Sequence, residues 1–301
     1  MLRFLYKLNE RSLSLKSTIL SRCIRFSVRV IANTFLPVYY RLTWNSGKFR
    51  LTDRNNIIVS LTSFPQRIGK IWIVIESIFR QTLKPERIIL WLSKNQFPKE
   101  LSDLPTVLKK QRERGLEIRF VKGDIRSHKK YFYCFEEYTT SKVLLIDDDI
   151  IYSPTLIERT YGSFNDHSVV GNFGFYYKWD ENTDYIRHCS SKEEGARCFV
   201  GSGGGTMYIP ELLKKFLLPL DDIIELCPTA DDIFLNGLFN LSELNVHLES
   251  NEPLITIYGE GVSVLSENGT IGDKNSKNAD QMRTFINYCL THFGRNPFNY
   301  S

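Results

Sequence analysis

Four short β-rich segments recur at nearly even spacing, and they constrain the fold more than any other feature of the sequence. They begin at Asn56, Arg87, Glu117 and Lys142, so successive starts lie 31, 30 and 25 residues apart. Such intervals have room for a helical crossover, which places consecutive strands parallel in one sheet. The sequence therefore predicts an α/β fold. We place the strands at Asn56–Thr62, Arg87–Ser93, Glu117–Lys122 and Lys142–Asp147.

Helices are predicted between these strands and in the later part of the chain. Gly115 is a typical stop signal, and Ser153-Pro154 is a typical start. The segment Ile71–Ile75 is β-rich by itself, so only its place between two parallel strands favours a helix. The predicted helices are Lys70–Gln81, Lys99–Arg114, Arg126–Thr139, one starting at Ser153-Pro154, Pro210–Phe216, Asp231–Leu241 and Ala279–Cys289.

The composition is that of an ordinary soluble globular protein. Of 301 residues, 42% are hydrophobic and 24% are charged, which excludes collagen-like and intrinsically disordered chains. The six cysteines include no C-x-x-C pair and the five histidines no H-E-x-x-H motif, so we predict no zinc site. We expect reduced thiols, a cytoplasmic location and one domain over residues 51–301.

Residues 1–50 form a strongly basic arm. They hold ten Lys and Arg against one acid, Glu10, for a net charge of +9, and since the whole chain carries +5, residues 51–301 carry −4. Between Leu2 and Phe35, apolar and cationic residues alternate at roughly helical spacing, as in amphipathic helices that lie in an anionic membrane interface. The uncharged run Val30–Tyr40 is shorter than the ~20 apolar residues that span a bilayer.

Other interpretations of the arm remain open. The same pattern fits a solvated helix pair packed against the body. Nucleic acid is disfavoured because few aromatic residues lie between the cations and no recognition motif is present. We expect the arm to bind the cytoplasmic face of the inner membrane peripherally, and we expect no nucleic-acid partner.

A run of three aspartates, Asp147, Asp148 and Asp149, follows the apolar strand segment VLLI. Adjacent carboxylates raise one another's pKa values unless a cation neutralises them. Open α/β sheets bind ligands at strand ends, and Mg²⁺ or Mn²⁺ typically bridges one or two carboxylates to substrate phosphates. The run therefore predicts a divalent-cation site. The competing interpretation is a solvated acidic turn that caps the next helix.

A second acidic pair, Asp231-Asp232, begins a predicted helix. Acids in a first turn are favoured by the helix dipole whether or not they are functional. Beside a metal-phosphate site, however, a second carboxylate is what a reaction that deprotonates an acceptor hydroxyl requires. The pair is therefore a candidate for the acceptor side of an active site.

Glycines and basic residues supply further candidates. Gly201–Gly205 is not a P-loop, because no Lys-Ser/Thr follows it. A close approach of backbone to a ligand, a sharp bend and a flexible loop all fit this run. Arg67 and the Lys129-Lys130 pair are placed either to contact phosphates or to remain solvated surface charges.

Taken together, five segments resemble GT-A-fold glycosyltransferases of the family-2-like bacterial type. The resemblance runs from about Ile57 to Asn287. The segments, in chain order, are SLTSFPQRI, SIFRQTLKPERIILWLS, HKKYFYCFEEYTTSKVLLIDDDIIY, GSGGGTMYIP and ADDIFLNGLF. The resemblance implies a GT-A (Rossmann-like) fold, a mostly parallel sheet flanked by helices, for residues 51–301. Residues 1–50 lie outside it.

The resemblance also implies roles for individual residues. The nucleotide would be held by the first-strand segment, the turn after the third strand, a lysine near the diphosphate and the acidic run, namely Thr62, Ser63, Arg67, Asp124, Lys130, Asp147 and Asp148. Asp147 and Asp149 would ligate the metal, Mn²⁺ or Mg²⁺. Asp232 would be the catalytic base, with Asp231 orienting the acceptor. Many GT-A enzymes add a C-terminal His ligand, but no His lies between His247 and His292. Asn268, Asp273 and Asn275 are the possible substitutes.

The expected activity is metal-dependent transfer of a sugar from a nucleotide-diphosphate donor, a UDP-sugar, to a carbohydrate or lipid-linked acceptor in surface polysaccharide synthesis. One rival is a sugar nucleotidyltransferase, in which we would expect a glycine-rich basic loop after the first strand, where this chain has LTSFPQR. Another rival is a non-catalytic carbohydrate-binding or scaffold protein, which would tolerate loss of the acids.

Overall fold

A seven-stranded sheet organises the chain. The computed structural model describes residues 1–15, 18–44, 51–52, 55–249, 254–257, 269, 271 and 273–299. The helices are α1 (Leu2–Leu13), α2 (Thr18–Leu42), α3 (Ile71–Phe79), α4 (Thr106–Arg112), α5 (Lys129–Glu137), α6 (Leu156–Gly162), α7 (Leu220–Leu226), α8 (Asp231–Leu241) and α9 (Lys277–Phe293). The strands are β1 (Ile57–Thr62), β2 (Arg87–Ser93), β3 (Leu116–Val121), β4 (Lys142–Ile146), β5 (Ile150–Ile151), β6 (Ser168–Gly171), β7 (Gly174–Asp180), β8 (Tyr185–Cys189), β9 (Arg197–Val200), β10 (Gly204–Tyr208), β11 (Asn245–Leu248) and β12 (Ile255–Thr256).

The strand order of the large sheet is β11-β6-β10-β4-β1-β2-β3. β1 to β4 run parallel and alternate with α3, α4 and α5 along the chain, whereas β10 lies antiparallel beside β4. The chain places β2 and β3 on one side of β1 and then β4 on the other, so the direction of the strand order reverses between β1 and β4. Open α/β sheets bind ligands at such a reversal. The predicted α/β fold with a mostly parallel sheet flanked by helices is confirmed.

Helices cover both faces of the sheet. Successive residues of β1 point to opposite sides, so Ile58 joins the core that contains α8 and α9, while Val59 joins the core that contains α2 and α3. Strands buried on both faces are nearly continuous apolar runs. This explains why β1, β2 and β4 could be predicted, whereas β3, at the end of the sheet, is only partly buried. All four predicted strands are correct to within one residue at either end.

One expected helix start is wrong, one expected helix is only a 3₁₀ turn, and one expected helix is divided. α6 begins at Leu156 with Thr155 as its N-cap residue, not at Ser153-Pro154. The expected helix Pro210–Phe216 contains only the 3₁₀ turn Pro210–Leu213.

The expected helix Lys99–Arg114 is divided before Pro105 into the 3₁₀ turn Glu100–Asp103 and α4. Proline lacks an N–H and disfavours helical backbone in the residue before it, which accounts for the break.

Two smaller sheets border the large one. β8, β7 and β9 form an antiparallel sheet, and β12 pairs with β5 in a two-stranded antiparallel ribbon. β5 follows the acidic run directly, and Ile257 N donates to Asp149 O at 2.7 Å. The ribbon therefore fixes the backbone of the last aspartate of the run.

One face of the arm packs against the body. Leu36 of α2 belongs to the same core cluster as β1 and α3. The Tyr6 hydroxyl donates to Ile151 O in β5, and Asn33 Nδ2 donates to Thr256 O in β12 at 3.0 Å. The arm on this face is a helix pair packed on the body, joined to the ribbon beside the acidic run.

A second face of α2 is apolar and exposed. Its outer stripe consists of Leu20, Ile31, Phe35, Val38 and Leu42, which lie on one side of the helix. Within the described chain no helix is both long enough and apolar enough to cross a membrane. The helix thus has one apolar side against the sheet and another against solvent.

Two leucines of α2 test the packing of the arm. Leu36 is fully buried, whereas Leu42 is 82% exposed. We expect Leu36→Ala to lower the free energy of unfolding by about 2–5 kcal/mol, because it opens a cavity between arm and sheet. Leu42→Ala is expected to change it by less than about 0.5 kcal/mol. Urea unfolding measures both variants, and two equally small effects would mean that the arm does not pack on the body.

Candidate active site

The reversal point of the sheet gathers the acidic residues at one edge. Ser63 follows β1 and Asp147 follows β4, so both lie at carboxyl ends of parallel strands. The antiparallel β10 brings the glycine run to the same edge, where Asp147 N donates to Gly203 O at 3.1 Å. Residues far apart in the sequence therefore share one site.

Arg67 lies between two of the three adjacent aspartates. Its Nη1 is 2.8 Å from Asp148 Oδ1 and 3.0 Å from Asp149 Oδ2. Ser63 Oγ donates to Asp148 Oδ2 at 2.6 Å. Asp148 is buried, whereas the side chains of Asp147 and Asp149 are 41% and 32% exposed. The middle carboxylate is occupied by internal bonds, and the outer two keep open surface.

Lys130 joins the aspartate run to the second acidic pair. The lysine is buried, and its Nζ lies 2.7 Å from Asp147 Oδ1 and 2.9 Å from Asp231 Oδ2. Although burial alone would lower the pKa of Lys130, the negative charges of Asp147 and Asp231 raise it above its usual value. Lys130 is therefore a permanent cation between the end of β4 and the start of α8.

Ser202 holds both members of the second pair. Its backbone N donates to Asp232 Oδ1 and its Oγ donates to Asp231 Oδ2, each at 2.7 Å. Asn236, one turn further along α8, bonds to the N and O of Val200 at the end of β9. These bonds fix the orientation of the first turn of α8 toward the glycine loop.

Asp231 and Asp232 have different pKa values because their surroundings differ. Burial acts to raise the pKa of Asp231, but Lys130, His128 and Ser202 lower it to about 2. Burial and the charge of Asp231 raise the pKa of Asp232 to about 6. The two carboxylates are thus suited to different tasks, one a fixed anion and the other able to exchange a proton near neutral pH.

The glycine run is needed for close approach. A Cβ added to Gly203 would lie 1.8 Å from Asp147 Cγ, and one added to Gly204 would lie 2.5 Å from Phe173 Cβ. No side chain fits at Gly203 while Asp147 keeps its position. The run thus allows its backbone to lie against Asp147 and Phe173, and a close approach to a ligand stays a prediction.

The side chains of the remaining residues expected at the nucleotide bond to partners outside the acidic centre. Thr62 Oγ1 donates to Trp91 O in β2 at 2.8 Å. Asp124 accepts from Gln96 Nε2 at 2.6 Å and also from Lys129 Nζ. Lys129 therefore forms an ion pair with Asp124. Of the two adjacent lysines, it is Lys130 that forms ion pairs in the acidic centre.

Sequence reasoning missed three residues that build the site. Ser202 was considered only as part of a glycine run, and no pattern distinguishes its hydroxyl. Buried His128 bonds through Nδ1 to Tyr131 OH at 2.8 Å and through Nε2 to Cys227 O at 2.7 Å, tying the start of α5 to the segment before α8. The Tyr152 hydroxyl contacts both Asp147 N and Gly203 O.

The donor set suits a hard divalent cation that takes some ligands from its substrate. In the part of the chain that the structure describes, no three His, Cys, Asp or Glu side chains form a ligand group. Asp147 and Asp149 nevertheless offer two open carboxylates, and Mg²⁺ commonly adds substrate phosphates and water to one or two such ligands. Asp273 Oδ1 accepts from Asn275 N at 3.0 Å in the turn before α9, and Asn268 lies outside the described residues.

The balance of charge also favours a cation. The aspartate run and the second pair bring five carboxylates together, and in the part of the chain that the structure describes four of them share two ion-pair partners, Arg67 and Lys130. Burial and the charge of Asp147 raise the pKa of Asp149 to about 6, which is the repulsion expected of adjacent acids that are not fully neutralised.

Gly203 provides a test of this arrangement. We expect Gly203→Ala to displace the Asp147 carboxylate and to weaken Mn²⁺-dependent UDP binding by ~10–100-fold, the scale found for residues that orient metal ligands. Gly69→Ala is the control, because nothing lies within 4 Å of its added Cβ. Calorimetry compares the two, and unchanged binding in Gly203→Ala would contradict the placement of Asp147.

Several solved structures are similar to the chain at low identity. TarS 1–349 from S. aureus in complex with UDP is 14% identical, with 79% of this chain and 72% of that chain covered and a TM-score of 0.44. The mannosyltransferase PcManGT from Pyrobaculum calidifontis in complex with GDP-Man and Mn²⁺ is 9% identical, with 90% and 76% covered and a TM-score of 0.47. The 4-diphosphocytidyl-2C-methyl-D-erythritolsynthase from Anaerococcus prevotii is 14% identical, with 79% and 99% covered and a TM-score of 0.41.

A search of curated protein sequences finds no match. A family model, described as the glycosyl transferase family 64 domain, matches residues 58–236, which is more than half of the chain. That range runs from β1 into α8 and includes the residues expected at the nucleotide, the aspartate run and the second acidic pair, but not the possible third metal ligands Asn268, Asp273 and Asn275. The predicted enzyme class, a glycosyltransferase, is confirmed, and the matching model is that of family 64 where the sequence resemblance pointed to the family-2-like type. The chain belongs to the family of the glycosyl transferase family 64 domain.

Proposed function

We propose that the protein transfers a sugar from a nucleotide-diphosphate donor, a UDP-sugar, to a carbohydrate or lipid-linked acceptor in surface polysaccharide synthesis. The observation that carries this proposal is the bridge from Asp147 through Lys130 to Asp231. One buried side chain, that of Lys130, therefore contacts both the candidate site for a diphosphate with its cation and the candidate acceptor site.

The donor side of the proposal rests on open carboxylates and fixed cations. Asp147 and Asp149 would hold Mn²⁺ or Mg²⁺, which when bound neutralises charge on the leaving diphosphate. Lys130 keeps its positive charge in the buried site and adds to that neutralisation. Arg67 holds Asp148 and Asp149, so the acidic run keeps its shape while the donor binds.

The acceptor side rests on the difference between Asp231 and Asp232. A sugar hydroxyl is a poor nucleophile at neutral pH, and a carboxylate whose pKa is near 6 is suited to accept its proton. Asp232 has this property and is the less buried of the two acids. Asp231, bonded to Lys130 and Ser202, stays ionised and supports the geometry.

Turnover with a donor series tests the activity. UDP-sugars and GDP-sugars, each with Mn²⁺ and with a chelator, are assayed for release of the nucleotide to water or to added saccharides. We expect release from one donor class only with the metal present. A sugar nucleotidyltransferase would instead form a nucleotide-sugar from a nucleoside triphosphate and a sugar phosphate, and a scaffold protein would release nothing from any donor.

Substitution of Asp232 tests the acceptor side. We expect Asp232→Asn to keep the fold and metal-dependent UDP binding but to lower turnover by ~10²-fold or more, the scale of general base catalysis. Asp221→Asn, in the exposed first turn of α7, is the matched control and should be near normal. Near-normal turnover in Asp232→Asn with collapse in Asp231→Asn would reverse the two roles.

The stereochemistry of the product defines the role of Asp232 further. An inverted anomeric centre, read by NMR, accords with direct displacement and a base on the acceptor. A retained centre would assign the carboxylate to stabilising positive charge on the transferred sugar instead.

The metal site has its own pH dependence. At pH 7.5 we expect Asp149→Ala to abolish the Mn²⁺-dependent part of UDP binding and to leave metal-free binding unchanged. Because a carboxyl with a pKa of about 6 must lose its proton to bind a cation, wild-type affinity should fall up to tenfold per pH unit below about pH 6. Calorimetry with UDP at several pH values measures both effects. A flat pH profile, or equal metal-dependent affinity in Asp149→Ala, would remove Asp149 from the site.

We also propose that the protein works at the cytoplasmic face of the inner membrane, held there peripherally by residues 1–50. The outer stripe and the excess of cations over acids in this arm are what support the proposal. Amphipathic basic helices bind anionic membranes through these two properties together. Such a position would suit a lipid-linked acceptor.

A further inference from the structure

A pocket outside the candidate active site lies where the arm meets the β5–β12 ribbon. It has a volume of about 330 Å³. One wall is formed by α2 and the other by the segment Leu254–Thr256. Its polar lining is dominated by three arginines of α2, namely Arg22, Arg25 and Arg29.

The three guanidinium groups lie on one side of α2, because their positions differ by three and four residues. No acidic side chain is among the described residues that line the pocket. Among the described residues, Arg22 and Arg25 form no ion pair, and Arg29 donates from Nε to Thr256 O at 3.3 Å. Within the described chain, Arg22 and Arg25 therefore present two guanidinium groups with no carboxylate paired to them, and such groups bind phosphate through charge-assisted hydrogen bonds.

The pocket also has an apolar side. Phe26, one residue from Arg25, is 66% exposed, and Leu254 and Ile255 line the opposite wall. A ligand that fits this surface carries an anionic group next to a hydrocarbon chain.

We infer that this pocket binds the phosphate diester headgroup of an anionic membrane lipid. Arginine is suited to this task because its planar fork makes paired hydrogen bonds to phosphate oxygens. With the phosphate between the arginines, Phe26 is placed beside the acyl chains. The inference rests on the proposed association of the arm with the membrane, and it adds a defined headgroup site to a general attraction of charges.

The pocket and the donor side of the candidate active site contact the same structural element, the β5–β12 ribbon. Thr256, which accepts from both Arg29 and Asn33, lies in β12. The next residue, Ile257, donates to Asp149 O. The headgroup site and the last aspartate of the acidic run are thus attached to the same two-stranded ribbon.

Short-chain lipids that stay monomeric test the pocket without a membrane. Full-length wild type is titrated calorimetrically with dihexanoyl phosphatidylglycerol, dihexanoyl phosphatidylcholine and inorganic phosphate. We expect binding of the phosphatidylglycerol, with both other probes at least ~10-fold weaker, since the site selects a net negative headgroup with an attached chain. Absence of binding to the phosphatidylglycerol, or equal binding of inorganic phosphate, would overturn the inference.

Matched double variants locate the binding. Arg22→Gln/Arg25→Gln should weaken phosphatidylglycerol binding by ~10-fold or more, while Arg3→Gln/Lys7→Gln, which removes the same charge from α1, should change it less than about 2-fold. All four side chains are exposed, so both variants should fold, and thermal melting checks this. Equal loss in both variants would mean that only net charge matters and would overturn the pocket.

Vesicle sedimentation separates this inference from the proposal on which it rests. If wild type binds phosphatidylglycerol vesicles but Arg22→Gln/Arg25→Gln binds them equally well, the pocket is wrong and membrane association stands. If wild type binds no anionic vesicles, both fail. The donor screen described above is independent of either result.

Discussion

The buried ammonium group of Lys130 is the interaction on which the candidate active site depends. It lies between Asp147 after β4 and Asp231 at the start of α8, so it holds the parallel half of the sheet to the later half of the chain. A buried carboxylate that loses its partner is strongly destabilising. The position of the acidic run and the orientation of α8 therefore depend on one another.

The position of Lys130 also explains why the neighbouring acids Asp231 and Asp232 differ in pKa. Asp231 contacts Lys130 and Ser202 Oγ and is stabilised as an anion, whereas Asp232 receives one backbone N–H and the repulsion of its neighbour. A similar contrast separates the buried Asp148, bonded to Arg67 and Ser63, from Asp149, which shares Arg67 but is more exposed. In each set, a carboxylate with several internal bonds lies next to one available to a ligand.

Much of the fold and of the candidate site could be predicted from the sequence, and the parts that could not be predicted have physical causes. The aspartate run follows a doubly buried strand, so local patterning placed it at the sheet edge. The bridge from Lys130 to Asp231 joins residues that are remote along the chain, and no local pattern reports such a contact. Ser202 was hidden among glycines for the same reason. The strands after residue 165 are short or lie in small sheets, where apolar runs are weak. The arm showed its amphipathic character, but only the packed structure distinguishes Leu36 from the exposed Phe35 beside it.

The two apolar sides of α2 have a practical consequence for handling the protein. A chain shortened to begin at residue 51 would lose Leu36 and its neighbours from the core that contains β1 and α3, and would bare that apolar surface to water. Aggregation would then come from the body itself rather than from the arm. Polar replacements at Phe35 and Val38, which are exposed, offer a different route to a soluble form, because they leave the inner side of the helix in place.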